Sequence, residues 1–92
     1  MIITIGENLR IVKTGFNIGI EQKREMKEGK DKGKILWVEF PNYSTRSMEN
    51  AINKVCDIKQ ENETYKTYKD YEEKRIKLMQ EILKKIKVEG GN

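Results

Sequence analysis

Histidine is absent from this 92-residue chain, and cysteine, proline and tryptophan occur once each. Without histidine there is no imidazole to shuttle a proton near neutral pH, and the lone thiol, Cys56, has no such base to activate it. A single cysteine rules out an internal disulfide, and with no imidazole beside it there is no nitrogen-and-sulfur ligand set for zinc. No run approaches the roughly 20 apolar residues of a membrane span. The opening Met1-Ile2-Ile3-Thr4-Ile5-Gly6-Glu7 turns polar too soon for a secretory leader. The expected setting is cytoplasmic, so the glycosylation-type triplets at Asn42 and Asn62 carry no weight. No cofactor motif is present, and no cofactor or metal is expected.

What the chain has in abundance is charge. Charged side chains make up 37% of it, hydrophobic ones 36%, and 19 basic against 15 acidic groups leave a net charge of +4. Leu, Ile, Val and Phe number 22 in all, enough for a thin core in one small domain spanning residues 1–92 but not for a large one.

Residues 1–43 read as strands, because their apolar residues are β-branched, alternate closely and are punctuated by glycine or asparagine. Ile3 and Ile5 flank Thr4, and Gly6-Glu7-Asn8 makes a turn into Leu9-Arg10-Ile11-Val12-Lys13. Thr14-Gly15 makes the next turn, after which Phe16, Ile18 and Ile20 fall on one face; Ile35 to Phe40 forms a fourth run, stopped by Pro41. Four short strands joined locally predict an antiparallel meander. Between the last two lies a segment, residues 23–34, with six basic and three acidic residues and two glycines, which reads as an extended, mobile hairpin tip of charge +3.

From Ser44 to residue 89 the period becomes helical. Ser44, Thr45 or Ser47 can cap a first helix carrying Met48, Ala51, Ile52 and Val55 on one face. The polar stretch from Asp57 to Thr64 reads as a fraying connection, and a second helix is expected to start between Thr64 and Thr67. Its Ile76, Met79, Leu83 and Ile86 recur at alternating three- and four-residue steps, with Leu78 and Ile82 widening the stripe; this predicts contact with the sheet and a seam for a second copy. Gly90-Gly91-Asn92 is the expected stop. The fold expected is α+β: a four-stranded antiparallel β-meander followed by two α-helices packed on one face, in the order ββββαα.

Few residues invite a chemical role. The acid pairs Glu72-Glu73 and Glu61/Glu63 lie among lysines and read as solvated surface charge rather than as an acid and base couple. Gly29-Lys30-Asp31-Lys32-Gly33-Lys34 has a glycine spacing one residue too short for a nucleotide-cradling loop, Ile35 where Ser or Thr is needed, and a strand rather than a helix to follow. The basic residues Lys23, Arg24, Lys27, Lys30, Lys32 and Lys34 can still attract a nucleic-acid backbone or an acidic protein face by charge alone. Tyr65, Tyr68 and Tyr71, interleaved with Lys66 and Lys69, suit base stacking or, at helical spacing, a wet-edged cover over a sheet; the packing role is the expectation. Trp37 reads first as a core or interface aromatic and second as a binding anchor, and Cys56 as buried and inert.

The order Ile5-Gly6 to Ile11, then Met26-Lys27-Glu28-Gly29-Lys30-Asp31-Lys32-Gly33, then Tyr43-Ser44-Thr45 leading into Met48-Glu49-Asn50-Ala51-Ile52, resembles a group of small uncharacterised early-region proteins of phages and prophages of Gram-positive bacteria. The resemblance runs over most of the chain and rests on structural motifs; the tyrosine-lysine stretch departs from it. It implies a lysine-glycine hairpin between two strands, a Ser-Thr step capping a helix, no catalytic residues, and action by binding. The function expected on that basis is a non-enzymatic protein in the host cytoplasm that blocks a host nucleic-acid-handling complex such as a defence nuclease, in an anti-CRISPR-like or other anti-defence role. The alternatives are a DNA- or RNA-binding accessory factor in phage replication or recombination, an oligomeric sponge for a signalling nucleotide, and a purely structural protein.

Overall fold

The computed structural model describes residues 1–89, so the expected Gly90-Gly91-Asn92 stop lies outside the described residues. Four strands, β1 (Ile2–Ile5), β2 (Leu9–Thr14), β3 (Asn17–Glu25) and β4 (Ile35–Glu39), form one antiparallel sheet in chain order. Two helices follow, α1 (Met48–Gln60) and α2 (Tyr68–Glu89), both laid on one face of that sheet. The α+β meander-then-helices arrangement is the one the change of period indicated.

Strand alternation sorts the sheet's side chains. Ile3 of β1, Ile11 of β2 and Ile20 of β3 lie in one cross-strand row, and Ile5, Leu9 and Ile18 complete the buried face. Ala51, Ile52, Val55 and Cys56 from α1 and Leu78 and Ile82 from α2 close on them to make a single core. It is thin, as the count of large apolar residues implied. Burial of these side chains, at roughly 25 cal/mol per Å² of apolar surface, is the main force holding helices to sheet.

Short turns fix the register. Gly15 at φ 60° opens the two-residue Gly15-Phe16 connection between β2 and β3, a left-handed position that a Cβ would strain. That turn corrects the expectation for Phe16: it sits in the bend, 83% exposed, instead of joining Ile18 and Ile20 on the inner face. Ser47 is the cap of α1, its Oγ accepting from the Asn50 backbone N–H at 3.2 Å. Thr67 does the same for α2 through Asp70 N–H at 3.1 Å. Helix α1 runs on to Gln60, so the first part of the supposed fraying segment is helical.

Candidate interaction surface

With both helices on one side, the other side of the sheet has no layer over it among the described residues. Alternation and register place Ile2, Thr4, Arg10, Val12, Glu21, Lys23, Ile35, Trp37 and Glu39 on that open face. Trp37 belongs here and not in the core. It is nonetheless half-buried, because the Arg10 guanidinium lies 4.3 Å from its ring centroid and the Lys23 ammonium 5.4 Å away. Arg10 is held in place by Glu21, its cross-strand neighbour, through an Nε–H donated to Oε1 at 2.5 Å. The pairing also relieves Glu21 of its like-charged neighbour across the next ladder, Glu39. A shallow cleft beside the indole is lined by Thr4, Asn8, Lys23 and Ile35. The open face thus carries a fixed aromatic with two cations against it and exposed aliphatics, Ile2 and Ile35, at its margin.

From this face a two-stranded arm projects. Pairing between β2 and β3 ends at Leu9 with Gln22, apart from Lys23 N–H donating to the Asn8 carbonyl. Beyond it β3 and β4 pair only with each other, through Glu25 with Ile35 and a further bond from Met26 N–H to the Lys34 carbonyl. The expected loop therefore begins later than the sequence indicated: Lys23, Arg24 and Glu25 are strand, drawn into the ladder by the β-forming Ile35, Leu36 and Trp37 opposite them. The tip closes by backbone bonds from Gly33 to Met26, Lys32 to Gly29 and Lys34 to Asp31, with Gly29 and Gly33 at φ 80° and 86°.

Strand geometry splits the six basic candidates. Lys23 is beside Trp37 on the open face, Arg24 is on the opposite face of the arm, and Lys27, Lys30, Lys32 and Lys34 stand exposed around the tip. One tip cation is partly spoken for, since Lys34 lies 3.5 Å from Asp31.

The tyrosine-lysine segment does something else. Tyr65 precedes α2, so the three tyrosines do not share one helical side, and none lies over the sheet as a cover. Tyr65 and Tyr71 meet edge to face at 5.4 Å, while Tyr68 stacks beside Tyr71 at 6.0 Å and stays 72% exposed. Tyr65 accepts from the buried Gln60 amide at 3.1 Å and donates to Glu63. Lys66 and Lys69 point into solvent. The segment closes the α1–α2 corner.

Behind that corner is a network that the sequence reading missed. Arg75 donates to Asp57 Oδ1 at 2.6 Å, to Gln60 Oε1 and the Tyr71 hydroxyl at 3.3 Å each, and to Asn53 through its backbone carbonyl and Oδ1. Burial acts to lower its pKa, but the hydrogen bond and charge of Asp57 outweigh this and leave it above its ordinary value. A signal was available: Arg75 falls at helical spacing with Tyr71, Leu78 and Ile82, the side of α2 that meets the core.

The α2 stripe is divided. Leu78 and Ile82, read as its widening, are the buried members; Met79 and Ile86 pack partly against the core; Ile76 and Leu83 remain 55% and 48% exposed. Glu61, Glu63, Glu72 and Glu73 are all exposed, and Cys56 is fully buried, which pushes its thiol pKa up. Among the described residues no three His, Cys, Asp or Glu side chains gather as a metal set, and no helix is long and apolar enough to cross a membrane. The chain matches no protein-family model, no curated protein and no solved structure.

Proposed function

We propose that this chain is a non-enzymatic binding protein that docks its open sheet face and β3–β4 arm onto a host nucleic-acid-handling complex and blocks it. One observation carries the reading: Trp37, clasped by Arg10 and Lys23, lies on a sheet face without a covering layer and continuous with an arm of charge +3. Tryptophan and arginine are among the side chains most often found to dominate binding energy, and a basic projection steers encounter with the nucleic acid that such a complex carries. Protein surfaces that accept a polyanion are themselves basic, so the exposed acidic side chains Glu25 and Glu28 on the arm and Glu39 on the open face supply complementary charge to such a site, while the lysines meet any bound nucleic acid. The resemblance to early phage proteins supplies the biological setting.

The test is capture of partners from host lysate by tagged protein, with and without nuclease, comparing wild type with W37A and with K30E/K32E/K34E. A stoichiometric host protein that resists nuclease and is lost with W37A supports the reading. Retention of the same protein by both variants removes this face from it.

The arm itself favours a second reading, direct binding of nucleic acid, because a two-stranded ribbon fits the major groove of duplex DNA. On naked DNA this reading requires an affinity that falls with salt at about one logarithmic unit per phosphate neutralised.

A further inference from the structure

The outer stripe of α2 lies on the helical side of the molecule, remote from the face just described, and its charges are arranged for one partner. Down that stripe, at helical spacing, run Glu72, Ile76, Gln80, Leu83 and Lys87, with the half-buried Met79 and Ile86 along its inner flank. Ile76 and Leu83 sit one heptad apart, about 10 Å along the axis, and are the exposed apolar pair. The acid is at one end and the cation at the other, each four residues beyond its aliphatic neighbour.

We infer that this stripe pairs with the same stripe of a second copy, the two α2 helices running antiparallel about a two-fold axis between Met79 and Gln80. In that arrangement Ile76 of each copy packs on Leu83 of the other, and Glu72 of each faces Lys87 of the other, so one patch serves both sides, as a two-fold interface demands. A parallel pair would bring Glu72 onto Glu72 and Lys87 onto Lys87, stacking like charges at both ends. Charge selects the antiparallel form. The contact engages only the helical side and leaves Trp37 and the arm of both copies open, so the dimer displays two docking surfaces and gains from bivalent engagement of any partner that offers two sites.

The test uses the intact chain. A concentration series in sedimentation velocity at low salt is expected to show a monomer–dimer equilibrium. E72K or K87E alone is expected to weaken it about tenfold, since each dimer contains two such pairs, and E72K/K87E to restore it. Orientation is read separately by oxidation of single-cysteine additions, the buried Cys56 being out of reach. A mixture of I76C and L83C is expected to cross-link, whereas I76C alone is not, its two copies lying about 10 Å apart along the axis, beyond the roughly 7 Å that a disulfide spans. A monomer at every concentration overturns the inference, as does cross-linking of I76C with itself or failure of the double reversal to restore association.

Discussion

Arg75 of α2 and Asp57 of α1 are joined at 2.6 Å across the helix pair, and the two terminal guanidinium nitrogens also donate to Asn53, Gln60 and the Tyr71 hydroxyl. Few apolar groups hold α1 to α2: the core members of α2 are Leu78 and Ile82. The hydrogen-bonded fork makes up for that thinness at the N-terminal half of α2. It also fixes the corner from which Tyr65 and Tyr68 emerge.

R75A therefore removes one hub from four partners and leaves the buried Gln60 amide oxygen without a donor. A loss of about 1–2 kcal/mol is expected in urea unfolding, moderated because Asp57 is largely in solvent. R75K should recover little of it, since an ammonium cannot reach Asp57 and Asn53 together as the planar fork does.

Cys56 gives a pH prediction with a definite sign. Burial raises its thiol pKa, Arg75 and Lys59 oppose that, and Asp57 adds to it, leaving the folded value above the ordinary one. As pH climbs past the pKa of the unfolded thiol, the unfolded chain loses its proton first and is favoured. The stabilising contribution is fully present below that pKa and is lost as pH rises through the folded value. Wild type should lose more stability than C56A between neutral and alkaline pH, measured by thermal melts of both across that range. At neutral pH C56A itself should cost about 1 kcal/mol for the space it leaves. Alkylation of the native protein should be slow until the chain opens.

The sheet and the helices were legible because each writes a period into the sequence. Ile3 and Ile5, or Ile18 and Ile20, can satisfy a two-residue repeat and a one-sided core at once, and Ser47 before Met48 reads as a cap. Phe16 departs from the alternation because a two-residue turn obeys backbone geometry and not a strand's period. Lys23 to Glu25 look like loop in the sequence because charged residues are poor strand formers; on an arm wetted on both faces they bear no burial cost, and the partner strand decides. In α2 the periodicity of six apolar residues was plain, yet it could not say which flank of a wide stripe faces the core. That choice depends on where α1 and β1 lie, as in the bond from Lys85 Nζ to the Thr4 carbonyl, 81 residues apart in sequence. Arg10 over Trp37 was invisible for the same reason: the two come from β2 and β4, with β3 between.

The tip lysines are expected to affect rate more than fold. Lys30, Lys32 and Lys34 are exposed and Lys34 has a solvated ion pair with Asp31, so K30E/K32E/K34E should change stability by no more than about 0.5 kcal/mol. Association with an anionic partner should slow at low salt and approach the wild-type rate as salt is raised, because charge at this distance acts through a screened field. Stopped-flow association over a salt series checks both statements. An unchanged low-salt rate would remove the tip from the contact.

Trp37 is expected to behave in the opposite way, with a small effect on folding and a large one on binding. Its ring lies outside the core but is half-buried on the sheet, so W37A forfeits the contacts with Arg10 and Lys23 and part of that burial, about 1–2 kcal/mol. If the open face is the docking surface, the same substitution removes the one large aromatic placed at its centre, and a loss of at least about 2 kcal/mol in affinity follows. R10A separates the two roles of the clasp. It leaves Trp37 in the sheet but frees its ring and strands Glu21 opposite Glu39. If Arg10 merely orients the indole, R10A should bind less tightly than wild type and more tightly than W37A; if Arg10 also touches the partner, the two losses should be comparable and W37A/R10A should be far from additive. Titration calorimetry on the four proteins, with melts to confirm that each is folded, distinguishes these outcomes, and equal affinity in all four would show that the partner is met elsewhere.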